Sequence, residues 1–313
     1  MSSGAEFPRD LFIEQVFHAA KKDRDIFFIS ADFGAPALDN FRENLPKQFI
    51  HSGISEQHMI NMAAGLALSG KKVYAYAMAP FLALRCFEQI KGTLSLMHQP
   101  VTLVSVGVGL AYADSGPTHY ITEDLACLRA LNGMEGLTAS DSESATELAN
   151  LTIDQPGLRY IRLDRQPLLP IYNGNYKRVL KSGVCEIFTG EKACIVTSGY
   201  MISRAIAARQ ELLKEGLNVG VIDLFRTKPM DIHAIKSVLT HYQHIITLEE
   251  QGLDAGFGSA LLELLNDHLI VKTVKRMGLP SSYIFENGGR DFLLDQNGLS
   301  VASICKNIKS LNQ

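Results

Sequence analysis

The chain has 313 residues, of which 46% are hydrophobic and 20% charged. At roughly 100–200 residues per domain, this length predicts two domains, each able to bury a core. Lys and Arg total 30 against 33 Asp and Glu, a formal charge of -3, which excludes nucleic-acid binding by bulk charge and a polybasic membrane anchor.

Short apolar runs alternate with helical patterns along the chain. Asp10 reads as an N-cap, with Leu11, Val16, Phe17 and Ala20 following near helical spacing. Residues 26–29 are an unbroken apolar run, as expected of a strand covered on both faces, and Gly34-Ala35-Pro36 marks a loop. Ser55 is placed to cap a helix running to about Ser69 and closed by Gly70. Residues 72–78 read as a strand, 81–97 as a helix and 101–106 as a strand. Helices over 123–131 and 143–151 and a strand near 158–163 complete the first set. Pro167, Pro170, Asn173, Gly174 and Asn175 then cluster as linker residues over about 167–180. The pattern restarts with strand 193–197, helix 202–214, strand 219–223, helix 231–240, strand 245–248, helix 255–266 and strand 271–274. Such alternation predicts parallel sheets flanked by helices. The expected architecture is two open α/β domains, 1–170 and a smaller 186–313, joined through 171–185.

No apolar run approaches the ~20 residues of a membrane span, and the polar residues 1–10 lack a signal-peptide core. Cys86, Cys127, Cys185, Cys194 and Cys305 are scattered and form no CxxC. That pattern predicts neither a disulfide framework nor a zinc cluster, and it suits a reducing cytoplasm. Gly107-Val108-Gly109 and Gly256-Phe257-Gly258 each lack the third glycine of a dinucleotide site, and no P-loop, GxSxG or HExxH is present. His51 and His58 have no neighbours that complete a metal set. Glu249-Glu250 ends a predicted strand, where α/β sheets build their sites; a solvated pair capping the strand is an equal reading.

Three segments stand out together: Gly53-Ile54-Ser55-Glu56-Gln57-His58 at a strand-to-helix junction, Phe81 with Arg85 and Gln89 on one face of the next helix, and Ala113-Asp114-Ser115-Gly116-Pro117-Thr118-His119 after a strand. All three leave the sheet at carboxyl ends of strands. The first and third resemble the C-terminal half of transketolase and of 1-deoxy-xylulose-5-phosphate synthase, and the separate C-terminal subunits of split transketolases. The resemblance continues through Ile222-Asp223-Leu224 with Lys228-Pro229, Glu249-Glu250 with Gly256-Phe257-Gly258-Ser259, and Gly289-Arg290-Asp291 with Leu293-Leu294. It covers about residues 10–310.

The resemblance implies a pyrimidine-binding domain for thiamin diphosphate followed by a transketolase C-terminal domain. Glu56 matches the catalytic glutamate that shares a proton with N1′ of the aminopyrimidine, favouring the imino tautomer whose nitrogen removes the thiazolium C2 proton. Burial of such a carboxyl and its place at a helix N-terminus act in opposite directions on its ionisation. Phe81 matches an aromatic that stacks on the pyrimidine, with Leu82 as the rival position. Ile54, Arg85 and Asp32 complete the implied cofactor contacts. His119 matches a substrate-side histidine able to hold a developing oxygen or relay a proton. Asp114, Ser115 and Arg165 are implied substrate contacts, Arg165 for a terminal phosphate.

Two departures bear on the substrate. Transketolases carry Asp where this chain has Ser115, and a phosphate-contacting His or Arg falls near Gly107-Val108, which has neither. These departures imply a substrate other than the usual pentose phosphate pair: an unusual or activated sugar, or a 2-oxo acid. The family grips the diphosphate and its Mg²⁺ with a GDG and a downstream Asn, and no GDG occurs in the chain. The resemblance therefore implies a separate N-terminal subunit and an α2β2 heterotetramer. Two other readings compete: the β subunit of a 2-oxo acid dehydrogenase first component, and a non-catalytic dimerising subunit.

Overall fold

The computed structural model describes residues 6–31 and 34–311. Contacts group the chain into two units. The first runs to Val108 and resumes over Cys127–Tyr176; the second comprises Gly109–Ala126 and the chain from Lys177 onward.

The first unit holds strands β1 (Ile26–Ala31), β2 (Phe49–Gly53), β3 (Lys72–Met78), β4 (Val101–Val106), β5 (Glu135–Thr138) and β6 (Arg159–Leu163), in spatial order β5-β6-β4-β3-β1-β2 with every neighbouring pair parallel. Every residue of β4 and β6 is buried, as a central parallel strand requires. Phe28 of β1 packs among Tyr74, Tyr76, Phe41 and Phe49. Two buried tyrosines satisfy their hydroxyls inside the sheet layer: Tyr160 pairs with Ser105 at 2.8 Å and Tyr74 with Thr152 at 3.1 Å. Helices Pro8–Ala20 and Ser142–Asp154 pack against one another.

The second unit holds β7 (Cys185–Phe188), β8 (Ala193–Thr197), β9 (Gly220–Asp223), β10 (Arg226–Lys228), β11 (His244–Gly252) and β12 (Thr273–Leu279). Its five-stranded sheet runs β12-β11-β8-β9-β7, parallel except for the β7–β9 edge. One of its cores packs Val196, Ile222 and Ile245 of the sheet with Leu239, Tyr242 and Leu261. The α/β class and the mostly parallel sheets agree with expectation. No helix among the described residues is long and apolar enough to cross a membrane.

Several elements differ from the sequence reading. The first helix starts at Pro8 with Phe7 at the N-cap, so Asp10 lies in the first turn. The expected helix over 81–97 is broken. A turn over Ala79–Ala83 ends at Leu84, a short one spans Phe87–Gln89, and π-helical backbone follows over Ile90–Ser95. Strands β2, β5, β7 and β10 and helices Arg290–Gln296 and Val301–Leu311 are additional. The helix expected over 123–131 covers only Asp124–Leu128.

The stretch expected as a linker is tethered. Asp141 caps helix Ser142–Asp154 by accepting the Ser144 amide at 2.8 Å. Its second oxygen takes the amides of Ile171 and Tyr172 at 2.8 and 3.0 Å. Glu143 accepts those of Gly174 and Tyr176. Asp141→Ala removes a cap and strands two further amides, an expected loss of about 2–4 kcal/mol in urea unfolding. A loss below about 0.5 kcal/mol would contradict this tether.

Candidate active site

The first cluster forms where β2 meets the helix Glu56–Leu68. Gly53 turns the chain with φ +70°, a conformation that disfavours side chains. Ser55 occupies the N-cap but does not cap: its hydroxyl donates back to the Ser52 carbonyl at 2.5 Å. No side chain caps this helix start, and a carboxylate in its first turn is favoured by the helix dipole. Glu56 is that acid, and it is only 5% exposed.

A buried carboxylate needs a partner. Arg85 supplies it: Nη1 donates to Glu56 Oε2 at 2.6 Å, with 40% of the arginine side chain in solvent. The same guanidinium lies over the Phe81 ring, 4.2 Å from its centroid. Gln57 Nε2 donates to the Arg85 carbonyl at 3.1 Å. Adjacent residues of one helix start therefore grip both ends of Arg85. The break in the helix after Ala83 is what allows this, because it frees the Arg85 backbone to turn toward Gln57. Leu82, the rival to Phe81, is completely buried, while Phe81 is half-buried; of the two, only Phe81 offers a ring face. Ile54 stands 75% exposed beside them.

The structure thus brings Glu56, Arg85 and Phe81 together, with Ile54 adjoining. Asp32 lies outside the described residues. Asp114 and Ser115 are exposed on a short turn, Ala113–Ser115. His119 is half-buried, its Nδ1 2.8 Å from the Thr118 hydroxyl. These three residues sit in the segment Gly109–Ala126, which belongs to the second unit. Arg165 is half-buried just beyond β6. Gln57 belongs to the motif but carries no role in the sequence reading; its amide-to-carbonyl bond is invisible to spacing, because it depends on the helix break.

Glu249 and Glu250 form no solvated pair. Both are buried, and β11 runs past them to Gly252. Glu249 accepts the amides of Phe257 and Gly258 at 2.7 and 2.8 Å, capping the helix Phe257–Asp267. The Gly-Phe-Gly motif serves this packing: a Cβ at Gly256 would meet a Glu249 oxygen at 2.6 Å, and one at Gly258 would meet Thr247 Oγ1 at 2.4 Å. Glu250 takes a different set of partners, Leu110 and Arg290.

Comparison with known proteins divides the chain once along its sequence, with Gly109–Ala126 inside the first match. Residues 9–170 match the family described as the transketolase pyrimidine-binding domain, and residues 186–304 match the transketolase C-terminal domain. A protein of Phocaeicola vulgatus named as one subunit of apulose-4-phosphate transketolase is 29% identical over 95% of this chain and 95% of its own length. The 1-deoxy-D-xylulose-5-phosphate synthase of Aquifex aeolicus is 30% identical over 96% of this chain, which spans 47% of that enzyme. A split-gene transketolase, solved as an inactive beta4 tetramer, superposes with a TM-score of 0.87 at 24% identity, covering 97% of each chain, and so shares the fold.

Cys86 reports on the surroundings of Glu56. Burial, reinforced by the Glu56 carboxylate and partly opposed by Arg85, pushes its thiol up to about 12. At pH 8 the thiolate is scarce, and its fraction rises about tenfold per pH unit up to that value. Alkylation of the folded chain should therefore leave Cys86 unmodified at pH 8, while the unfolded chain reacts there readily. Equal labelling of both states would contradict the buried thiol.

Proposed function

This chain belongs to the transketolase family, and from that premise we propose that it is the pyrimidine-binding subunit of a two-component, thiamin diphosphate-dependent transferase. The reaction moves a two-carbon ketol or acyl unit from a ketose or 2-oxo acid donor to an aldehyde or ketone sugar acceptor. We assign residues 1–170 to the pyrimidine-binding domain, 171–185 to the linker and 186–313 to the C-terminal domain.

The observation that carries the reading is the acid–cation–ring group. Glu56 is buried, its carboxylate bonds an N–H of a planar cation, and that cation lies over Phe81. Such a setting fits a flat, nitrogen-rich heteroaromatic: an acid for a ring nitrogen and an aromatic face for its π surface. The aminopyrimidine of thiamin diphosphate has this character. When bound, the cofactor supplies an electron sink for carbon–carbon cleavage and formation. Glu56 would hold and return a proton at N1′, Phe81 would offer its face to the ring, and exposed Ile54 would add apolar surface. Arg85 is displaced from the acid or shares it. His119 holds an oxygen of the donor carbonyl or relays its proton, with the Thr118 hydroxyl orienting its imidazole. Asp114, Ser115 and Arg165 read the rest of the substrate, the last suited by its fork to a phosphate.

A partner supplies the remainder of the site. The Phocaeicola relative is named as a subunit, not as a whole enzyme, and no GDG is present in this chain. An N-terminal subunit with that motif would grip the diphosphate and Mg²⁺, in a cytoplasmic α2β2 assembly. Ser115 points away from the usual pentose phosphates, and the same relative is named for apulose 4-phosphate; the proposed donor is a ketose phosphate of atypical shape, its phosphate held by Arg165 in place of the contact that Gly107-Val108 lacks.

Reconstitution tests the reading. This chain mixed with a GDG-bearing partner should turn over such a donor, and Glu56→Gln should lower kcat on the order of 10²–10⁴-fold without loss of assembly. Full turnover by the variant, or by this chain alone, would overturn the assignment. Efficient use of xylulose 5-phosphate with ribose 5-phosphate would overturn the donor proposal.

A further inference from the structure

The second unit carries a buried ion pair at the foot of the loop that bears Asp114, Ser115 and His119. Glu250 and Arg290 are each 5% exposed. Arg290 Nε donates to Glu250 Oε2 at 2.9 Å, and its Nη2 meets Glu250 Oε1. Glu250 Oε2 also accepts the backbone amide of Leu110 at 3.2 Å. A carboxylate with that many donors is fully engaged and has one position.

The loop is shaped around this acid. Gly109 has φ +60°, and a Cβ there would fall 2.1 Å from Glu250 Cδ. The glycine that failed to make a dinucleotide motif is instead the seat of Glu250. Arg290 is held in turn, its guanidinium 3.7 Å from the Tyr200 ring centroid. Tyr200 donates to Asp291 at 2.6 Å, and Asp291 pairs with Arg204 at 2.7 Å.

The far foot of the loop is fixed as well. Ile121 N donates to the Gly109 carbonyl at 3.1 Å, closing the loop on itself. The Tyr120 hydroxyl accepts the Ile284 amide at 2.8 Å and donates to the Ile284 carbonyl at 3.2 Å. Between the feet the backbone is a run of tight turns: Ser115 N to Tyr112 O, Gly116 N to Ala113 O, and His119 N to Gly116 O, at 2.9–3.2 Å. Such turns leave little slack, so displacement of a foot reaches Ser115 and His119.

We propose that Glu250, clamped by Arg290, is a positioning residue that sets the loop bearing Asp114, Ser115 and His119 through the Leu110 amide, giving the C-terminal domain a share in substrate geometry. This rests on the reading of that loop as substrate-facing.

Two variants test it in the full chain and in the reconstituted complex. Glu250→Gln removes the charge and leaves Arg290 buried without its counter-ion. Glu250→Leu with Arg290→Met removes the whole pair, a replacement that apolar groups of similar size tolerate. Amide hydrogen exchange of the double variant should be about tenfold or more faster at Leu110 and Ile121, and unchanged at Ile245 and Ile246 in β11. In the complex, donor KM should rise about tenfold to a hundredfold, with thiamin diphosphate affinity unchanged. Unchanged exchange at Leu110 and Ile121 in a folded variant would overturn the inference, whatever the kinetics. So would failure of both variants to fold, because the pair would then be a stability element alone. Faster exchange with an unmoved KM would keep the anchor and overturn the reading of the loop as substrate-facing.

Discussion

A carboxylate buried in the first turn of a helix is the constraint on which the first unit's site depends. Glu56 is 5% exposed, so its charge demands compensation. The helix dipole provides some, because the acid sits in the first turn. Arg85 provides the rest, from a segment just beyond the end of the helix Ala79–Ala83. Gln57 and Phe81 then hold the arginine at its backbone and over its guanidinium. The broken helix, the uncapped serine and the stacked cation are one solution to a single electrostatic demand. A flat heteroaromatic base would meet the same demand in the same place.

The second unit repeats the theme with adjacent acids. Glu249 and Glu250 follow one another on β11, where its register with β12 shifts, and each takes its own set of partners. Glu249 caps the helix Phe257–Asp267, and Glu250 meets Arg290 and Leu110. Each acid is admitted by a glycine: Gly256 and Gly258 on one side, Gly109 on the other. Buried ion pairs add little net stability compared with apolar replacements. Retention of one at the base of a loop is better explained by the geometry it imposes.

Much of this was legible in the residues. Strands β3, β4 and β8 coincide with their apolar runs, because strands buried on both faces need little else. Strand β2 escaped because Phe49–Gly53 is half-exposed and holds His51 and Ser52, with no apolar run to mark it. Strand β5 is four residues long and includes Gly136. The helix break after Ala83 has no proline or glycine to announce it, and the contacts of Arg85 with Glu56 and Gln57 that accompany it are tertiary. Glu56, Phe81 and Arg85 were legible as a group through the family resemblance, and the contacts among them only through the fold. That Gly109–Ala126 packs with the second unit was illegible, since the anchoring partners Glu250 and Ile284 lie 140 and 164 residues away from Leu110 and Tyr120 in sequence.

The central claim is that the Glu56 carboxyl moves a proton at the cofactor's aminopyrimidine and thereby governs the acidity of its thiazolium. Deuterium uptake at thiazolium C2, followed by NMR on thiamin diphosphate bound to the two-chain complex, reads that coupling without any substrate. At matched cofactor occupancy, exchange in the wild-type complex should exceed that in Glu56→Gln by about 10²-fold or more. Equal exchange rates in the two complexes would contradict the account.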